Sequence, residues 1–316
     1  MAERKSHLFV IDPLERLNLA WDTSIKIAFA LDELGHDVYF CTGRELSRSL
    51  HPSGAFAKAK KAIFGKKPQD LTLETPERRH LENFSAIHMR REPPFDLDYI
   101  ATLWILDSVS HLVSVMNAPK ALLEINEKLT ILDFPLFTKP TIVSSDADEL
   151  LAFARERCGS NIVIKPLGLY GGRGVEHIEG ARVLAEKLHL ATMNGKESRM
   201  VQGFDEAVYK GEVRAFTVAG KPVSWCLKVP KSGEFLANTR AGSTLEPYRP
   251  TARDIDVATG VAETLLKRGV IFAGIDMIGG WLSEVNITCP ALLSPDRASL
   301  KSFDQIALTI DALSNH

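Results

Sequence analysis

The sequence predicts an α/β fold whose second half is of the α+β type, with a Rossmann-like domain at the N-terminus. Residues 8–11 form a short apolar run, residues 24–34 carry apolar side chains at the helical spacing, and residues 37–41 are again strand-like. A strand, a helix and a strand in this order predict a parallel sheet covered by helices. Beyond residue 210 strand-like runs follow one another directly, which predicts antiparallel sheet in the second half.

Length and charge limit the classes of protein to which the chain can belong. Its 316 residues correspond to about two domains of roughly 150 residues each. With 38 Lys and Arg against 40 Asp and Glu, the formal net charge is −2, which gives no reason to expect a nucleic acid or an anionic membrane as partner. No run approaches the ~18 apolar residues of a membrane-spanning helix.

The cysteines and the N-terminal residues predict a cytoplasmic protein. The four cysteines lie far apart, without the spacing of a zinc or redox motif, so reduced thiols are expected. Only five apolar-leaning residues follow the polar first seven, which is too few for the core of a signal peptide.

In the first domain, one segment has two interpretations and three further elements are predicted. Residues 57–67 contain five lysines, which favours a solvated helix or loop, with an anion-attracting rim as the alternative. Residues 86–89 are strand-like and end before two prolines, because proline cannot continue a strand ladder. A helix over 99–109 and a strand over 111–116 then complete a domain of residues 1–121.

The second domain, residues 122–316, is predicted to combine helices with short strands. We expect helices at 122–132, 146–157, 181–191, 252–268 and 301–313, and strands at 161–165, 213–218, 223–229, 270–277 and 281–287.

Lys165 stands at the end of a predicted strand and precedes a loop with glycines at 168, 171, 172 and 174. Glycine lets backbone N–H groups close on phosphate oxygens, and the lysine supplies a cation. The loop is not a Walker loop, which needs Gly-Lys-Ser/Thr, and its spacing differs from the dinucleotide-binding fingerprint. On these residues alone it is either a phosphate cradle or a structural hairpin loop.

The hairpin over residues 274–286 carries two carboxylates and an amide. Glu284 and Asn286 share one face of its second strand, because strand side chains alternate. A two-residue loop at Gly279-Gly280 would turn the Asp276 carboxylate to the wrong face. A loop one residue longer pairs Asp276 with Glu284 and gathers the apolar side chains on the opposite face, so burial favours that register.

These oxygen ligands suit a magnesium ion that also contacts substrate phosphates. A solvated polar face is the alternative, which the flanking apolar residues disfavour.

Four further cations are scattered along the chain: Arg90, Arg214, Lys228 and Arg240. Each of them alone is most simply a surface charge or one half of an ion pair.

Taken together, the motifs resemble the ATP-grasp superfamily, and within it the bacterial glutathione synthetases, over nearly the whole chain. The features that carry the resemblance are Asp12-Pro13 with Asn18, Asp22 and Ser24; Arg90-Arg91-Glu92-Pro93-Pro94-Phe95-Asp96; Asn117 with Pro119; Asn126-Glu127-Lys128; Lys165-Pro166-Leu167 with Gly171-Gly172; Arg214; Gly274-Ile275-Asp276; and Glu284-Val285-Asn286-Ile287-Thr288. The set is specific, although each feature is weak alone. The resemblance implies an ATP-grasp domain with a central lid subdomain (122–200) and a C-terminal catalytic subdomain (201–316).

The resemblance also implies roles for individual residues. ATP would be bound by Lys128, Lys165, Gly171, Gly172, Gln202, Gly203, Phe204 and Glu212, the last at the ribose, and magnesium by Asp276, Glu284 and Asn286. Catalysis would involve Arg214, Lys228 and Arg240, and substrate binding would involve Arg90 and Asn238.

The implied activity is that of an ATP-dependent carbon–nitrogen ligase, in which a carboxylate is phosphorylated and an amine then attacks the acyl phosphate. Glutathione synthesis from γ-glutamylcysteine and glycine is the leading hypothesis. The alternatives are a related ligase for another amino acid or peptide, and a nucleotide-binding sensor without turnover. The cofactors would be ATP and one or two Mg²⁺ ions, which Mn²⁺ could replace. The substrates would be small molecules or short peptides. The protein would form a homo-oligomer.

Three departures from the family pattern concern the substrate. The family continues its metal strand with Ser-Pro-Thr and a later Arg-Glu pair, whereas residues 289–295 read Cys-Pro-Ala-Leu-Leu-Ser-Pro and lose hydroxyl and charge. A Gly-Gly-Arg-Gly-Glu loop is replaced by residues 237–244, and Lys228 stands where an arginine is expected. Because a site rejects ligands that leave its polar groups unpaired, these changes affect specificity more than reaction type.

Overall fold

The computed structural model describes residues 4–239, 242–296 and 299–314. Its helices are α1 Thr23–Glu33, α2 Leu97–Asp107, α3 Pro119–Glu124, α4 Ala147–Arg157, α5 Ala181–Ala191, α6 Ala252–Lys267 and α7 Lys301–Leu313. Its strands are β1 Ser6–Ile11, β2 Asp37–Thr42, β3 Leu46–Leu50, β4 Ser53–Ile63, β5 Thr72–Leu73, β6 Glu77–His80, β7 Ala86–Arg90, β8 Ser114–Met116, β9 Thr141–Ser144, β10 Asn161–Pro166, β11 Glu176–Glu179, β12 Arg199–Gly203, β13 Glu212–Val218, β14 Lys221–Val229, β15 Thr244–Pro247, β16 Phe272–Ile278 and β17 Trp281–Asn286.

The first sheet has the order β3-β4-β2-β1-β7-β8, with β5 and β6 paired to β4. β1 lies parallel to β2 and β7, and β7 lies parallel to β8, which confirms the predicted parallel sheet. Asp22 caps α1 by accepting the N–H groups of Ser24 at 2.8 Å and Ile25 at 3.0 Å. The helix therefore begins at Thr23, and it packs against α7.

The basic segment is neither a helix nor a loop, so that prediction was wrong for most of its length. It lies largely in β4, where Ala57 and Ala59 are buried and Lys58 between them is exposed. Lys60 pairs with Glu45 in the turn after β2 at 2.8 Å, and Lys61 pairs with Asp37 on β2 at 2.7 Å, so they do not form a free anion-attracting rim either. The buried alanines alternate with charged residues at the two-residue period of a strand. Because alanine is small, this pattern is easy to miss in a sequence with so many lysines.

The helix predicted over 122–132 is also wrong as a single element. α3 ends at Glu124, and a short 3-10 turn follows at Leu129–Asp133. Between them, the side-chain oxygen of Asn126 accepts the N–H groups of Lys128 and Leu129, both at 3.0 Å. This side-chain bond competes with helix continuation and leaves Lys128 on a loop.

Two antiparallel sheets make up most of the second half, as predicted. The second sheet has the order β11-β10-β12-β9 and the third the order β15-β14-β13-β16-β17. The remaining predicted helices and strands lie within three residues of the observed bounds, whereas the short strands β3, β5, β6, β9, β11, β12 and β15 were not predicted. Among the described residues, no helix combines the length and apolar character needed to cross a membrane.

Asn117 joins the first domain to the third sheet. Its amide donates to the carbonyl oxygens of Phe272 and Ile287 at 2.8 and 2.7 Å, and its oxygen accepts the N–H groups of Ile271 and Phe272, both at 2.7 Å. One hydrophobic core also runs from the first sheet through α3 to the third sheet. Since Asn117 is 2% exposed, these bonds fix the starts and ends of the strands that carry the polar hairpin.

Candidate active site

A cavity of about 290 Å³ lies between the second and third sheets. Its walls come from β10, β12, β13, β14, β16 and β17, from the glycine loop after β10, and from the chain around residues 235–239 and 288–293. Nearly every residue singled out in the sequence lines it: Lys128, Lys165, Gly171, Gly172, Gln202, Gly203, Phe204, Glu212, Arg214, Lys228, Asn238, Asp276, Glu284 and Asn286. Residues far apart in the chain therefore meet in one place.

The polar hairpin has the predicted pairing, but a different loop produces it. Asp276 lies opposite Glu284, while Ile278 lies opposite Trp281, so the loop is the two-residue Gly279-Gly280. The register shifts between Asp276 and Met277, which makes Ser283 an extra, bulged residue. The prediction of a three-residue loop was therefore wrong. A bulge in the second strand shifts the pairing by one residue just as a longer loop would, so both arrangements place Asp276 opposite Glu284.

Arg214, Asp276 and Glu284 form a row across three neighbouring strands, β13, β16 and β17. Arg214 Nε and Nη2 donate to the two Asp276 carboxylate oxygens at 2.6 and 2.7 Å, a bidentate pair. Lys228 Nζ lies 2.9 Å from Asp276 Oδ1 and 3.1 Å from Glu212 Oε2. The Asp276 side chain is only 2% exposed, so this charge cluster is almost entirely removed from solvent.

Gly274 makes room for the guanidinium group of this row. A Cβ atom built at Gly274 would lie 2.7 Å from Arg214 Nη1, which is too close for any real side chain. Because Asp276 already holds Arg214 by two hydrogen bonds, the guanidinium could not simply move aside.

Burial and the neighbouring charges shift the pKa values of two carboxyl groups in the cluster in opposite directions. Burial acts to raise the pKa of Asp276, but Arg214 and Lys228 overcome it and hold that pKa well below its ordinary value. Burial raises the pKa of Glu212 to about 7, against the lowering effect of Lys228. Asp276 is therefore the firmly ionised member of the cluster.

Both lysines predicted to hold phosphate reach the hairpin. Lys128 Nζ lies 3.0 Å from Glu284 Oε1 and also donates to the carbonyl oxygen of Leu169 in the glycine loop. Lys165 Nζ lies 3.3 Å from the hydroxyl and 3.4 Å from the carbonyl oxygen of the bulged Ser283. Burial lowers the pKa of Lys165, an effect that the nearby Glu284 opposes. The lysines, the loop and the hairpin thus converge on a single cavity.

Glu127 is a residue of the site whose role the sequence did not reveal. Its Oε1 accepts the N–H groups of Ile287 at 2.7 Å and Thr288 at 2.9 Å, and the Thr288 hydroxyl at 3.0 Å. Burial raises the pKa of Glu127. The side chain fixes the end of β17 beside Lys128, and the only sequence signal for it is its place in Asn126-Glu127-Lys128.

The far end of the cavity exposes part of the edge of β12. β9 pairs with β12 only as far as Gln202, opposite Thr141, so β9 does not cover Gly203. The Phe204 N–H group bonds to the carbonyl oxygen of Asn161, and the Phe204 ring stacks on His177 with centroids 3.7 Å apart. The main chain at Gly203 is therefore accessible to a planar polar ligand at this end.

The glycine loop adopts a backbone that side chains disfavour. Gly171 and Gly172 have φ angles of +68° and +76° and line the cavity. The side-chain amide of Asn238 faces them, since a Cβ atom at Gly171 would lie 3.5 Å from its nitrogen. The glycine loop and Asn238 thus form one part of the cavity wall.

Arg90, which the resemblance assigns to substrate binding, is not among the residues that line the cavity. It is 3% exposed, and it donates to the Ser24 hydroxyl at 3.0 Å and to the Pro290 carbonyl oxygen at 2.8 Å. Its contacts hold the chain after β17, which forms part of the cavity wall. Arg240, also assigned to the site, lies outside the described residues.

The candidate metal ligands are two carboxylates and an amide, which are all-oxygen ligands of the kind that Mg²⁺ prefers. Asn286 Nδ2 donates to Asp276 Oδ2 at 3.0 Å, which leaves the Asn286 side-chain oxygen for another partner. Within the described residues there is no cluster of three or more His, Cys, Asp or Glu side chains that could hold a metal ion. The donor set therefore fits a hard ion shared with a phosphate ligand better than a protein-only metal centre.

Comparison with known proteins agrees with this geometry. Residues 6–122 match the N-terminal domain of prokaryotic glutathione synthetase, and residues 127–295 match its ATP-grasp domain. The glutathione synthetase of Prochlorococcus marinus is 36% identical over 285 residues, covering 90% of each chain, and that of Pseudomonas syringae pv. tomato is 32% identical over 287 residues, covering 90% of this chain and 89% of the relative.

Solved structures show the same fold at lower identity. D-cycloserine synthetase superposes with a TM-score of 0.66 at 14% identity, covering 98% of this chain and 100% of that one, and the ATP-grasp ligase PsnB bound to a minimal precursor superposes with a TM-score of 0.62. Because the two family matches together span most of the sequence, the chain belongs to the prokaryotic glutathione synthetase family and has its ATP-grasp fold.

Proposed function

We propose that the chain is an ATP- and Mg²⁺-dependent ligase that joins γ-glutamylcysteine to glycine through an acyl phosphate and releases glutathione, ADP and phosphate. The observation that carries this proposal is the row of Arg214, Asp276 and Glu284, with Lys128 and Lys165 at its edge. Phosphoryl transfer depends mainly on positioning and charge neutralisation, and the cavity concentrates cations and oxygen ligands at one point.

The nucleotide would lie along the cavity with its base at the exposed main chain of Gly203, next to Gln202 and Phe204. Lys128 and Lys165 would bind the phosphates beneath Gly171 and Gly172. The resemblance implies that Glu212 contacts the ribose; in the absence of nucleotide its carboxyl group lies 3.1 Å from Lys228 Nζ.

Asp276, Glu284 and Asn286 would hold one or two Mg²⁺ ions, with Mn²⁺ as a substitute. The metal, when bound, would neutralise charge on the phosphate oxygens. Because the three ligands lie on two paired strands, their spacing is set before the nucleotide arrives.

Arg214 and Lys228 would stabilise the reacting groups. An oxygen of the substrate carboxylate attacks the γ-phosphorus, and the bond to the ADP oxygen breaks. The glycine amine then attacks the acyl carbon, phosphate leaves with the bonding electrons, and the amine loses a proton. Both cations would offset the charge that develops on the transferred group, and enclosure under the glycine loop would protect the acyl phosphate from water.

Two further residues belong to the proposal. Arg240 is expected to assist catalysis, and Asn238 is expected to contact the substrate.

The direct experiment measures ADP release by the purified chain with ATP, Mg²⁺, γ-glutamylcysteine and glycine, and identifies the product by mass. Leaving out each substrate in turn is the control for ATP hydrolysis. ADP release that requires both γ-glutamylcysteine and glycine supports the proposal. Thermal stabilisation by ATP and Mg²⁺ without turnover on any acid and amine pair would favour a sensor instead.

One observation favours the second candidate, a ligase for a different amino acid or peptide. Leu236, Ala291 and Leu293 line the cavity, so the cavity is more apolar than a site for glycine alone requires. Turnover with another amine, at a rate well above that with glycine, would select this candidate.

Compartment and assembly also belong to the proposal. The four cysteines, all of them among the described residues, form no disulfide bonds, and we propose a cytoplasmic location, where thiols stay reduced. Leu97 and Trp104 on α2 are exposed, which supports a homo-oligomer. Light scattering on the purified protein measures the assembly directly.

A further inference from the structure

One step of the proposed reaction still lacks a residue, because the amine must lose a proton before it can attack. An α-amino group has a pKa of about 8, so at neutral pH most of it is in the ammonium form, which has no free electron pair. A carboxylate that accepts this proton acts as a general base, which typically contributes about 10²–10⁴-fold to a rate. Such a group must line the cavity and must have an oxygen that no other side chain occupies.

Most carboxyl groups at the cavity are already engaged. Those that line it within the described part of the chain are Glu92, Glu127, Asp205, Glu212, Asp276 and Glu284. Asp276 and Glu212 share the ammonium group of Lys228. Glu284 pairs with Lys128. Asp205 pairs with Lys139, and Glu92 is not free either. Glu127 is the remaining member of the set.

The two carboxylate oxygens of Glu127 differ in what they contact. Oε1 accepts the N–H groups of Ile287 and Thr288 and the Thr288 hydroxyl. Oε2 has no hydrogen-bond or ion-pair partner among residues 4–239, 242–296 and 299–314. Because Oε1 is bound to the chain after β17, Oε2 is the oxygen that a molecule in the cavity can reach. The side chain is therefore fixed at one oxygen and open at the other.

Glu127 lies close to the proposed reacting group. Residues 288–291 line the cavity, and the two ends of this segment contact Glu127 and Arg214. The Thr288 N–H group donates to Glu127 at 2.9 Å, and Arg214 Nη1 donates to the carbonyl oxygen of Ala291 at 3.4 Å. Three chain steps separate Thr288 from Ala291, so their Cα atoms lie no more than about 11 Å apart. A small amine bound at Glu127 can thus reach an acyl carbon held beside Arg214.

The surroundings of Glu127 favour a proton on this group. Burial raises the pKa of Glu127, and the charge of Glu284 adds to the rise, whereas the N–H groups of the chain after β17 act against it. A carboxylate with a raised pKa is a better base than an ordinary one, because its affinity for a proton is closer to that of the amine.

We propose that Glu127 binds the ammonium group of the incoming amine through Oε2 and accepts a proton from it. One N–H bond of the ammonium group breaks and its proton passes to Oε2, which leaves an electron pair on the nitrogen. That pair forms the bond to the acyl carbon, and the bond from this carbon to the phosphate oxygen breaks with its electrons. The phosphate takes the second proton that the nitrogen loses. The inference rests on the proposed function and names its general base.

The test uses hydroxylamine, which is largely uncharged at neutral pH and therefore needs no base. Hydroxylamine traps an acyl phosphate as the hydroxamate, so hydroxamate reports the first half of the reaction and glutathione reports the whole. Glu127→Gln keeps an oxygen that can accept the bonds from Ile287 and Thr288, and it replaces Oε2 by an amide nitrogen that cannot accept a proton. With ATP, Mg²⁺ and γ-glutamylcysteine, this variant should lose roughly a hundredfold or more in kcat with glycine. It should form hydroxamate at close to the rate of the unaltered chain.

Two further variants separate chemistry from structure. Glu124→Gln is the matched control, because Glu124 is exposed on α3 three residues before Glu127 and pairs only with the exposed Lys120, at 3.8 Å. It makes the same chemical change and should leave both rates as they are. Glu127→Leu removes both oxygens and should lower hydroxamate formation as well, since nothing then holds the end of β17 in place.

The outcomes separate this inference from the proposed function. An unchanged glycine rate in Glu127→Gln would overturn the inference and leave the function standing. An equal loss of glutathione and hydroxamate would also overturn it, because Glu127 would then only hold β17. If the unaltered chain forms hydroxamate but joins an amine other than glycine, the glutathione assignment fails, and the inference stands or falls with the rate of Glu127→Gln for that amine. An unaltered chain that forms neither product would overturn both.

Discussion

Two histidines buried in the first sheet should make the fold sensitive to mild acid. His7 on β1 and His88 on β7 are both 0% exposed, and His7 Nδ1 lies 3.1 Å from His88 Nε2. Within the described part of the chain, the outer ring nitrogens, His7 Nε2 and His88 Nδ1, have no hydrogen-bond partner. Burial lowers the pKa of His7 to about 3, with further lowering by His36 and Lys5, against a raising effect of Asp311. Burial and the neighbouring His7 also lower the pKa of His88 well below its ordinary value.

The direction and size of the effect follow from proton binding. Below pH 6.5 the unfolded chain takes up protons on these rings that the folded chain does not, so stability falls as the pH decreases. At pH 5.5 a ring with an unfolded pKa near 6.5 contributes a loss of about 1.4 kcal/mol, and the pair a loss of about 3 kcal/mol. The result depends little on how far the folded pKa values are lowered, provided that they lie well below 5.5.

The assay is urea unfolding followed by circular dichroism at pH 7.5, 6.5 and 5.5. The double variant His7→Leu/His88→Leu replaces both rings by apolar side chains of similar volume and should lose this part of the pH dependence. Other groups whose pKa is raised by burial, such as Asp22 and Glu127, titrate in both proteins and cancel in the comparison. Equal pH dependence in the two proteins would refute the reasoning.

Three further predictions concern the reaction site. Glu284→Gln removes a charge without changing volume and should lower kcat by at least about a hundredfold with an unchanged melting temperature; an active variant would contradict its assignment as a metal ligand. Gly274→Ala should lower kcat about tenfold or more while ATP affinity changes little, because the new methyl group displaces Arg214; wild-type kinetics would show that the guanidinium position does not matter. Lys228→Met leaves two buried carboxyl groups without their shared cation and should cost about 3–5 kcal/mol in urea unfolding; adding Glu212→Gln should restore part of this loss, and no restoration would mean that the two groups are not coupled.

The pairing of Asp276 with Glu284 could be predicted because a buried apolar face fixes the register of a hairpin. The bulge at Ser283 could not, since a longer loop and a bulge produce the same change of phase. The strand β4 was missed for a related reason: alternate alanines bury little surface, and the lysines between them dominate the composition. Pattern reasoning thus works where large side chains are buried and weakens where small ones are.

The position of a site residue could be predicted where its side chain has one common role in such a motif. Lys128 and Lys165 reach the hairpin as the resemblance implied. The substrate role of Arg90 stays a prediction, because an arginine that donates to a backbone carbonyl has the same appearance in sequence as one that binds a substrate carboxylate. The role of Glu127 could not be predicted beyond its place in Asn126-Glu127-Lys128, since its partners include main-chain groups whose position depends on tertiary structure.

The bulged Ser283 in β17 constrains the number of residues in this strand rather than the identity of a side chain. Any side chain at position 283 preserves the spacing, so exchanging the serine should be tolerated far better than removing it. Deleting that single residue would leave all candidate ligands of the cleft in the sequence but would shift one part of β17 by one residue relative to β16. The side chains of either the hairpin tip or the segment that carries Glu284 would then point to the opposite face of the sheet. Chain length here is therefore as much a part of the chemistry as the identity of the acids, and a design that transplants this hairpin must keep its count of residues.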